Sequence, residues 1–419
     1  REGLTMNKEA LDIRLLDPQS VECPYHDYKR LREEAPVYKM PETGWYVVTT
    51  YDLCRKVAKD WETFSDQLTD WSQETLWSNP AIPEIFETEG WPRDAILSKD
   101  PPLHDMYRSL VDVSFTRSRI DACEPFITKL VNELIDKFID KGECDFIMDF
   151  AYPLPMHVIA DRLGLPPEDL PRLKFWSEEW VLPHAHTMDA ERQVECARNI
   201  VELQHYLAEK FEEKRVNRDD RIISDLVHGK FNGERDLTVR EMMSMTEQLL
   251  VGGNETTTNA MSSGMMLLIQ NPDQYKLVQE DPKLIKNFVE EVLRVESPTQ
   301  GIFRVAVKDT ELGGVQIPRG SMINMRFGAA NRDAKVFADP DRLDVCRKNA
   351  GAHLAFSTAE HHCVGAPLTR QEMNIAFRIL FERLENFQFA EGKNDFQHQG
   401  NFMVRALKHL HITFDKKQA

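Results

Sequence analysis

The stretch from Thr238 to Gln270 constrains this chain more than any other. It reads as one long helix, from Thr238 to Gln270, closed by Asn271-Pro272. At 1.5 Å per residue such a helix would be about 50 Å long. A helix of that length must cross the whole molecule, so the other elements have to pack around it. Its middle, Gly252-Gly253-Asn254-Glu255-Thr256-Thr257-Thr258, is poor in helix formers. Each glycine costs about 1 kcal/mol relative to alanine in a helix interior, so the hydrogen-bond ladder is weakest there and a kink is expected.

The remaining pattern is mainly helical. Asp52 to Asp60, Cys123 to Lys141, Tyr152 to Leu163, Met188 to Arg215, Leu284 to Val295 and Pro367 to Leu384 read as helices. Leu163-Gly164-Leu165-Pro166-Pro167 is a helix stop. A minor β part is expected at both ends of the chain. Gly44 to Thr49 has strand composition, and residues 302–325 read as short strands with turns at Gly313-Gly314 and Pro318-Arg319-Gly320. Residues 66–97 have no clear periodicity. No linker, repeat or low-complexity tract divides the 419 residues, so a single domain over 1–419 is expected, mainly α with a minor β part.

The net charge of −17 argues against nucleic acid or an anionic membrane as partner. The seven cysteines are odd in number and contain no CxxC pair, which suits free thiols in a reducing compartment. No apolar run reaches the length of a membrane span, and the first residues are polar. A cytoplasmic protein without membrane contact is the expectation.

Chemistry concentrates in His353-Leu-Ala-Phe356-Ser-Thr-Ala359-Glu-His361-His362-Cys363-Val-Gly365-Ala-Pro367. An irregular loop delivers a cysteine just before a helix, with Pro367 suited to the first turn. The dipole and free N–H groups of a helix N-terminus stabilise a thiolate, the form that binds metal. The segment resembles the haem-binding loop of the cytochrome P450 family, Phe-x-x-Gly-x-His/Arg-x-Cys-x-Gly. Phe356, His361, Cys363 and Gly365 match. Ala359 stands where that family usually has glycine, and Ser357 where glycine is common.

The resemblance extends over nearly the whole chain and implies a P450-like fold, with the long helix crossing over a haem b whose iron is ligated by Cys363. A thiolate axial ligand pushes electron density toward iron and favours O–O cleavage. Gly252-Gly253-Asn254-Glu255-Thr256 is similar to the family's (Ala/Gly)-Gly-x-(Asp/Glu)-Thr. It implies that Thr256 hydrogen-bonds dioxygen or its water at the iron and that Glu255 relays protons from solvent. Glu291-Val-Leu-Arg294 resembles the family's structural ExxR, completed by a downstream arginine, for which Pro340-Asp341-Arg342-Leu343 offers Arg342. Leu343 stands where much of the family has Phe.

Two haem propionates need cationic or N–H partners. His104 and Arg108 share a helix face at i,i+4, Arg304 lies on a strand, and His361 precedes the cysteine by two residues. These match the family's propionate partners, with Phe356 beside them in the loop.

The resemblance implies a monooxygenase that inserts one oxygen atom from O2 into a hydrophobic small molecule (terpenoid, steroid, fatty acid or aromatic). Electrons would come from a separate ferredoxin or flavodoxin-like donor docking behind Cys363, with Arg347, Lys348 and Arg370 as candidate contacts. Substrate would be read by residues 71–96, with Trp71, Trp77, Ile82 and Ile85, and by Gln248, Val251, Gly253, Gln300, Ile302, Met403 and Val404. Two rivals stand beside this reading. One is a metal site using His353, His361, His362 and Cys363. The other is a haem protein that senses or stores.

Overall fold

In the computed structural model, which describes residues 11–68, 77–185 and 188–418, helices form most of the chain and two small sheets flank them. First come α1 (Tyr25–Glu34), β1 (Val37–Lys39), β2 (Tyr46–Val48), α2 (Tyr51–Lys59) and β3 (Phe64–Ser65). Next are α3 (Leu103–Asp112), α4 (Glu124–Asp136), β4 (Glu143–Asp145), α5 (Pro153–Leu163), α6 (Leu170–Val181), α7 (Ala190–Val216) and α8 (Ile222–His228). Then follow α9 (Val239–Gly252), α10 (Glu255–Gln270), α11 (Ile285–Val295), β5 (Ile302–Ala306) and β6 (Met322–Met325). The last elements are α12 (Ala366–Arg383), β7 (Leu384–Phe389) and β8 (His411–Lys416). A further helix, Pro272–Glu280, several shorter helical turns and two small hairpins lie between them.

The helix expected over Thr238 to Gln270 forms as two, α9 and α10, interrupted at Gly253-Asn254. Its start is a capping box: the Thr238 hydroxyl accepts from the Glu241 N–H while the Glu241 carboxylate accepts from the Thr238 N–H. At the break the Asn254 N–H reaches back only to the Val251 carbonyl, at 3.3 Å. A Cβ on Gly253 would come within 2.8 Å of Ile159 in α5, so the glycine lets the two helices approach closely at this point.

Other departures are local. The helix expected from Cys123 to Lys141 ends at Asp136, and a 3₁₀ turn, Ile139–Lys141, leads into Gly142 at φ +68°. Within the stretch expected to be irregular, Ile82–Thr88 forms a short helix.

The main hydrophobic core joins α3, α4 and the helices from α5 to α12 with β7 and β8. α11 is a typical contributor: Ile285, Phe288, Val289 and Val292 recur at helical spacing and are buried. The first sheet has strand order β1-β2-β6-β5-β3. β5 pairs antiparallel with β3, setting Ser65 opposite Val305. That register brings Asp66, just past β3, beside Arg304. The second sheet has order β7-β8-β4, with β8 antiparallel to both neighbours. No helix among the described residues is long and apolar enough to cross a membrane.

Candidate active site

Cys363 sits three residues before α12, with Pro367 in the first turn of that helix. Its own N–H donates to the Phe356 carbonyl at 2.9 Å, closing the loop on itself. The backbone N–H groups of Gly365 and Ala366 are directed at its sulfur. The thiol keeps accessible surface although protein surrounds it, so it lines an internal space. Burial pushes its pKa up, against the pull of the two N–H groups and of the cations Arg108 and Arg370. The helix terminus alone was expected to favour the thiolate; desolvation outweighs it in the protein by itself.

The loop holds two strained residues. Ser357 has φ +59° and Ala359 φ +60°, the left-handed region that glycine occupies without a Cβ clash. These are the two positions where the sequence departs from glycine.

The four expected propionate partners converge. The rings of His104 and His361 lie 4.2 Å apart between centroids. Arg108 donates to the His362 carbonyl at 2.8 Å and to Asp112 at 2.7 Å. Arg304 donates to Asp66 at 2.6 Å, and His361 Nδ1 lies 3.3 Å from the same carboxylate. Arg304 Nη2 and His361 Nε2 are buried and have no hydrogen-bond partner. An unsatisfied polar nitrogen in a buried site is costly, and a carboxylate such as a haem propionate would satisfy the Arg304 donor. Desolvation and the neighbouring cations Arg304, His104 and Arg108 push His361 down to about 3, so its ring is neutral.

Asp66 was not anticipated. Burial raises its carboxyl, Arg304 lowers it, Asp100 raises it again, and the balance lies at about 6. Its one-residue offset from a two-residue strand gave no sequence signal; only the β3/β5 register places it here.

At the junction of α9 and α10, Gly252 is exposed to open space, and a Cβ there would meet nothing within 4 Å. The Thr256 hydroxyl donates to the Gly252 carbonyl at 3.0 Å, bridging the interruption between α9 and α10. Burial raises the Glu255 carboxyl, and the like charge of Glu178 adds to it.

The ExxR pair is fully buried. Glu291 accepts from Arg294 Nε at 2.6 Å and from its Nη2 at 3.0 Å. Arg294 also donates to the carbonyls of Asn331, Pro340 and Arg342. The arginine that completes the triad is Arg347, not Arg342: its Nε lies 3.0 Å from Glu291. Arg342 contributes only its carbonyl, and its side chain is exposed. The two arginines therefore exchange the roles expected of them, and Arg347 is too buried to meet a redox partner. Arg370 is also engaged, donating twice to Glu290 and lying 4.6 Å above the Phe356 ring. Lys348 is exposed.

The substrate positions divide. Ile82 and Ile85 pack with Cys196, Ala197 and Ile200 of α7 in a core cluster, and Trp77 packs against that cluster. These three are thus framework residues, while Trp71 lies outside the described residues. Gln300 accepts from the Tyr28 hydroxyl and donates to the Ser297 carbonyl, so both ends of its amide are engaged within the protein. Gly253 packs on Ile159. Val251 is nearly buried, whereas Gln248, Ile302, Met403 and Val404 keep partial exposure. The Gln300 N–H donates to the Met403 carbonyl, which joins the late turn to the start of β5.

The residues of the rival metal site are held apart by other partners: His353 bonds Glu290 and His361 faces Asp66.

The family model for cytochrome P450 matches residues 176–412. Cytochrome P450 monooxygenase PikC of Streptomyces venezuelae is 33% identical, over 98% of this chain and 96% of its own length. 6-Deoxyerythronolide B hydroxylase of Saccharopolyspora erythraea is 32% identical over 94% of this chain and 96% of its own. Among solved structures, CYP109E1 of Bacillus megaterium in complex with testosterone superposes with a TM-score of 0.80 at 31% identity, covering 93% of this chain and 99% of that one. With this likeness spanning the loop, the broken helix and the buried ExxR pair alike, the chain belongs to the cytochrome P450 family of monooxygenases.

Proposed function

We propose that this chain, working as one domain over residues 1–419, binds haem b through Cys363. In this reading it inserts one oxygen atom from O2 into a hydrophobic small molecule, with electrons from a separate ferredoxin or flavodoxin-like donor. The observation that carries the reading is the setting of Cys363: a sulfur at a helix N-terminus, facing an internal space, with the N–H groups of Gly365 and Ala366 directed at it.

The donor set suits the group. Cys363 would supply the thiolate ligand, and His104, Arg108, Arg304 and His361 would hold the propionates, with the unsatisfied Arg304 Nη2 as the first donor. When bound, a thiolate-ligated haem supplies the chemistry of dioxygen reduction and O–O cleavage. Phe356 and Arg370 stack to keep the loop in place.

Thr256 and Glu255 handle protons. The Thr256 hydroxyl can rotate from the Gly252 carbonyl and donate into the space beside it. Glu255, whose pKa is raised by burial and by Glu178, holds a proton more readily than an exposed carboxyl and can resupply that hydroxyl. Val251, Ile302, Met403 and Val404 offer apolar wall to the substrate, and Gln248 offers one polar contact. The names of two relatives point the same way: one hydroxylates 6-deoxyerythronolide B and one holds testosterone, both large and mostly apolar molecules. Exposed Lys348 and Arg342, on the segment before the haem loop, are the cations available to an acidic donor.

The test is the absorption spectrum of the reduced protein under carbon monoxide. A strongly red-shifted Soret band that is lost in Cys363→Ala supports thiolate ligation. A colourless protein, or a band indifferent to that substitution, overturns it.

A further inference from the structure

The outer face of the second sheet carries a group of side chains separate from the haem loop. Along β8 and the residues before it the pattern alternates. Leu410, Ile412 and Phe414 are buried, so His409, His411 and Thr413 point to the opposite face. β4 pairs antiparallel with β8 and sets Asp145 directly opposite His411. Asp145 Oδ2 lies 3.2 Å from His409 Nδ1. The two imidazoles are nearly parallel, 16° apart, with centroids separated by 5.9 Å. One ligand atom from each of Asp145, His409 and His411 can be chosen so that all lie within 4.8 Å of one another.

The carboxylate is already oriented. Its Oδ1 accepts from the N–H groups of Ile147 at 3.1 Å and Leu410 at 3.4 Å, which leaves Oδ2 toward the histidines. The His411 backbone is clamped by Asn394, whose side chain accepts from its N–H and donates to its carbonyl, both at 2.8 Å. Among the described residues no group hydrogen-bonds the His411 ring. Hydrogen bonds to a ligating carboxylate, like those to Asp145 Oδ1, help fix its direction in metal sites.

We propose that Asp145, His409 and His411 form a binding site for a divalent transition-metal ion of the zinc type. Two imidazole nitrogens and one carboxylate oxygen are a borderline ligand set that suits zinc and disfavours calcium or magnesium, which demand oxygen ligands. Tetrahedral zinc with bonds of about 2.0–2.1 Å needs ligand atoms roughly 3.3 Å apart. The Asp145–His409 pair already has that spacing, and the exposed His409 ring is free to adjust toward His411. Three protein ligands leave a fourth position to water. A bound ion would tie β4 to the last strand of the chain.

The test is isothermal titration of the haem-loaded, full-length protein with zinc chloride in a chelator-free buffer at neutral pH, alongside His409→Asn, His411→Asn and the double variant. The expected result is one zinc per chain for the parent protein. Each single substitution should weaken binding by more than about tenfold, since even loss of a supporting outer residue costs 10–100-fold. Zinc should raise the thermal midpoint of the parent and leave that of the double variant unmoved, with the haem spectrum unchanged throughout. Because His409 is exposed, its asparagine variant tests the site without disturbing the core. No zinc binding by the parent, or equal binding by parent and double variant, overturns the proposal.

Discussion

Glu290 of α11 grips Arg370 of α12 through two hydrogen bonds, at 2.6 and 2.9 Å, and with the same carboxylate accepts from His353 at the start of the haem loop. One acid thus pins both ends of the segment that presents Cys363. Burial would raise this carboxyl, but His353 and Arg370 outweigh it and hold it at about 2. Glu290→Gln should therefore cost about 2 kcal/mol at neutral pH and speed haem loss, read by thermal unfolding and by transfer of haem to apomyoglobin. The folded pKa lies below the unfolded value of 4.5, so the acid's contribution is complete above that value and is lost as pH falls toward 2. The gap between parent and variant should close over the same window.

Arg347 and Arg342 separate the buried triad from the surface. Arg347→Ala leaves the fully buried Glu291 short of an ion-pair partner and should cost about 3–5 kcal/mol, seen as lost soluble holoprotein or a lower denaturant midpoint. Arg342→Ala removes only an exposed side chain and should fall within about 0.5 kcal/mol of the parent. The opposite ranking would return Arg342 to the triad.

Ala359→Gly relieves a φ of +60°. The left-handed conformation costs a non-glycine residue about 1–2 kcal/mol, and glycine's greater freedom in the unfolded chain returns part of that. A net gain of about 0.5–1 kcal/mol is expected, with slower haem release. Equal or lower stability would show that the loop holds Ala359 without strain.

The adjacent glycines of the broken helix should behave differently. Gly253→Ala drives a Cβ to 2.8 Å from Ile159 and should destabilise by about 1–3 kcal/mol. Gly252→Ala meets nothing and should leave the thermal midpoint near the parent's. It should change instead the affinity for apolar ligands, followed by spin-state titration.

Thr256→Ala and Glu255→Gln test the proton path. Both should keep haem and consume reductant, while product formed per reductant falls by more than about tenfold. Unchanged coupling in both would remove these two residues from proton handling.

Much of this was legible in the chain, because local rules govern it. Gly252-Gly253 announce the interruption between α9 and α10, Gly164 the end of α5, and a cysteine before Pro367 the start of α12. These signals depend on backbone sterics and hydrogen bonds within a few residues. The ExxR spacing likewise sets Glu291 and Arg294 on one helix face. The partner arginine was not legible, since Arg342 and Arg347 lie on one irregular loop and only its path decides which side chain turns inward. Asp66 reached Arg304 through strand register, and Glu290 reached His353 and Arg370 through the packing of α11 on α12. Ile82 and Ile85 have the composition of a pocket wall, yet α7 covers them. The sequence by itself determined most of the long helices, the weak point in the longest stretch and the cysteine's place before α12. Tertiary structure decided which charges meet, because those pairings join residues far apart in the chain whose distances no local preference sets.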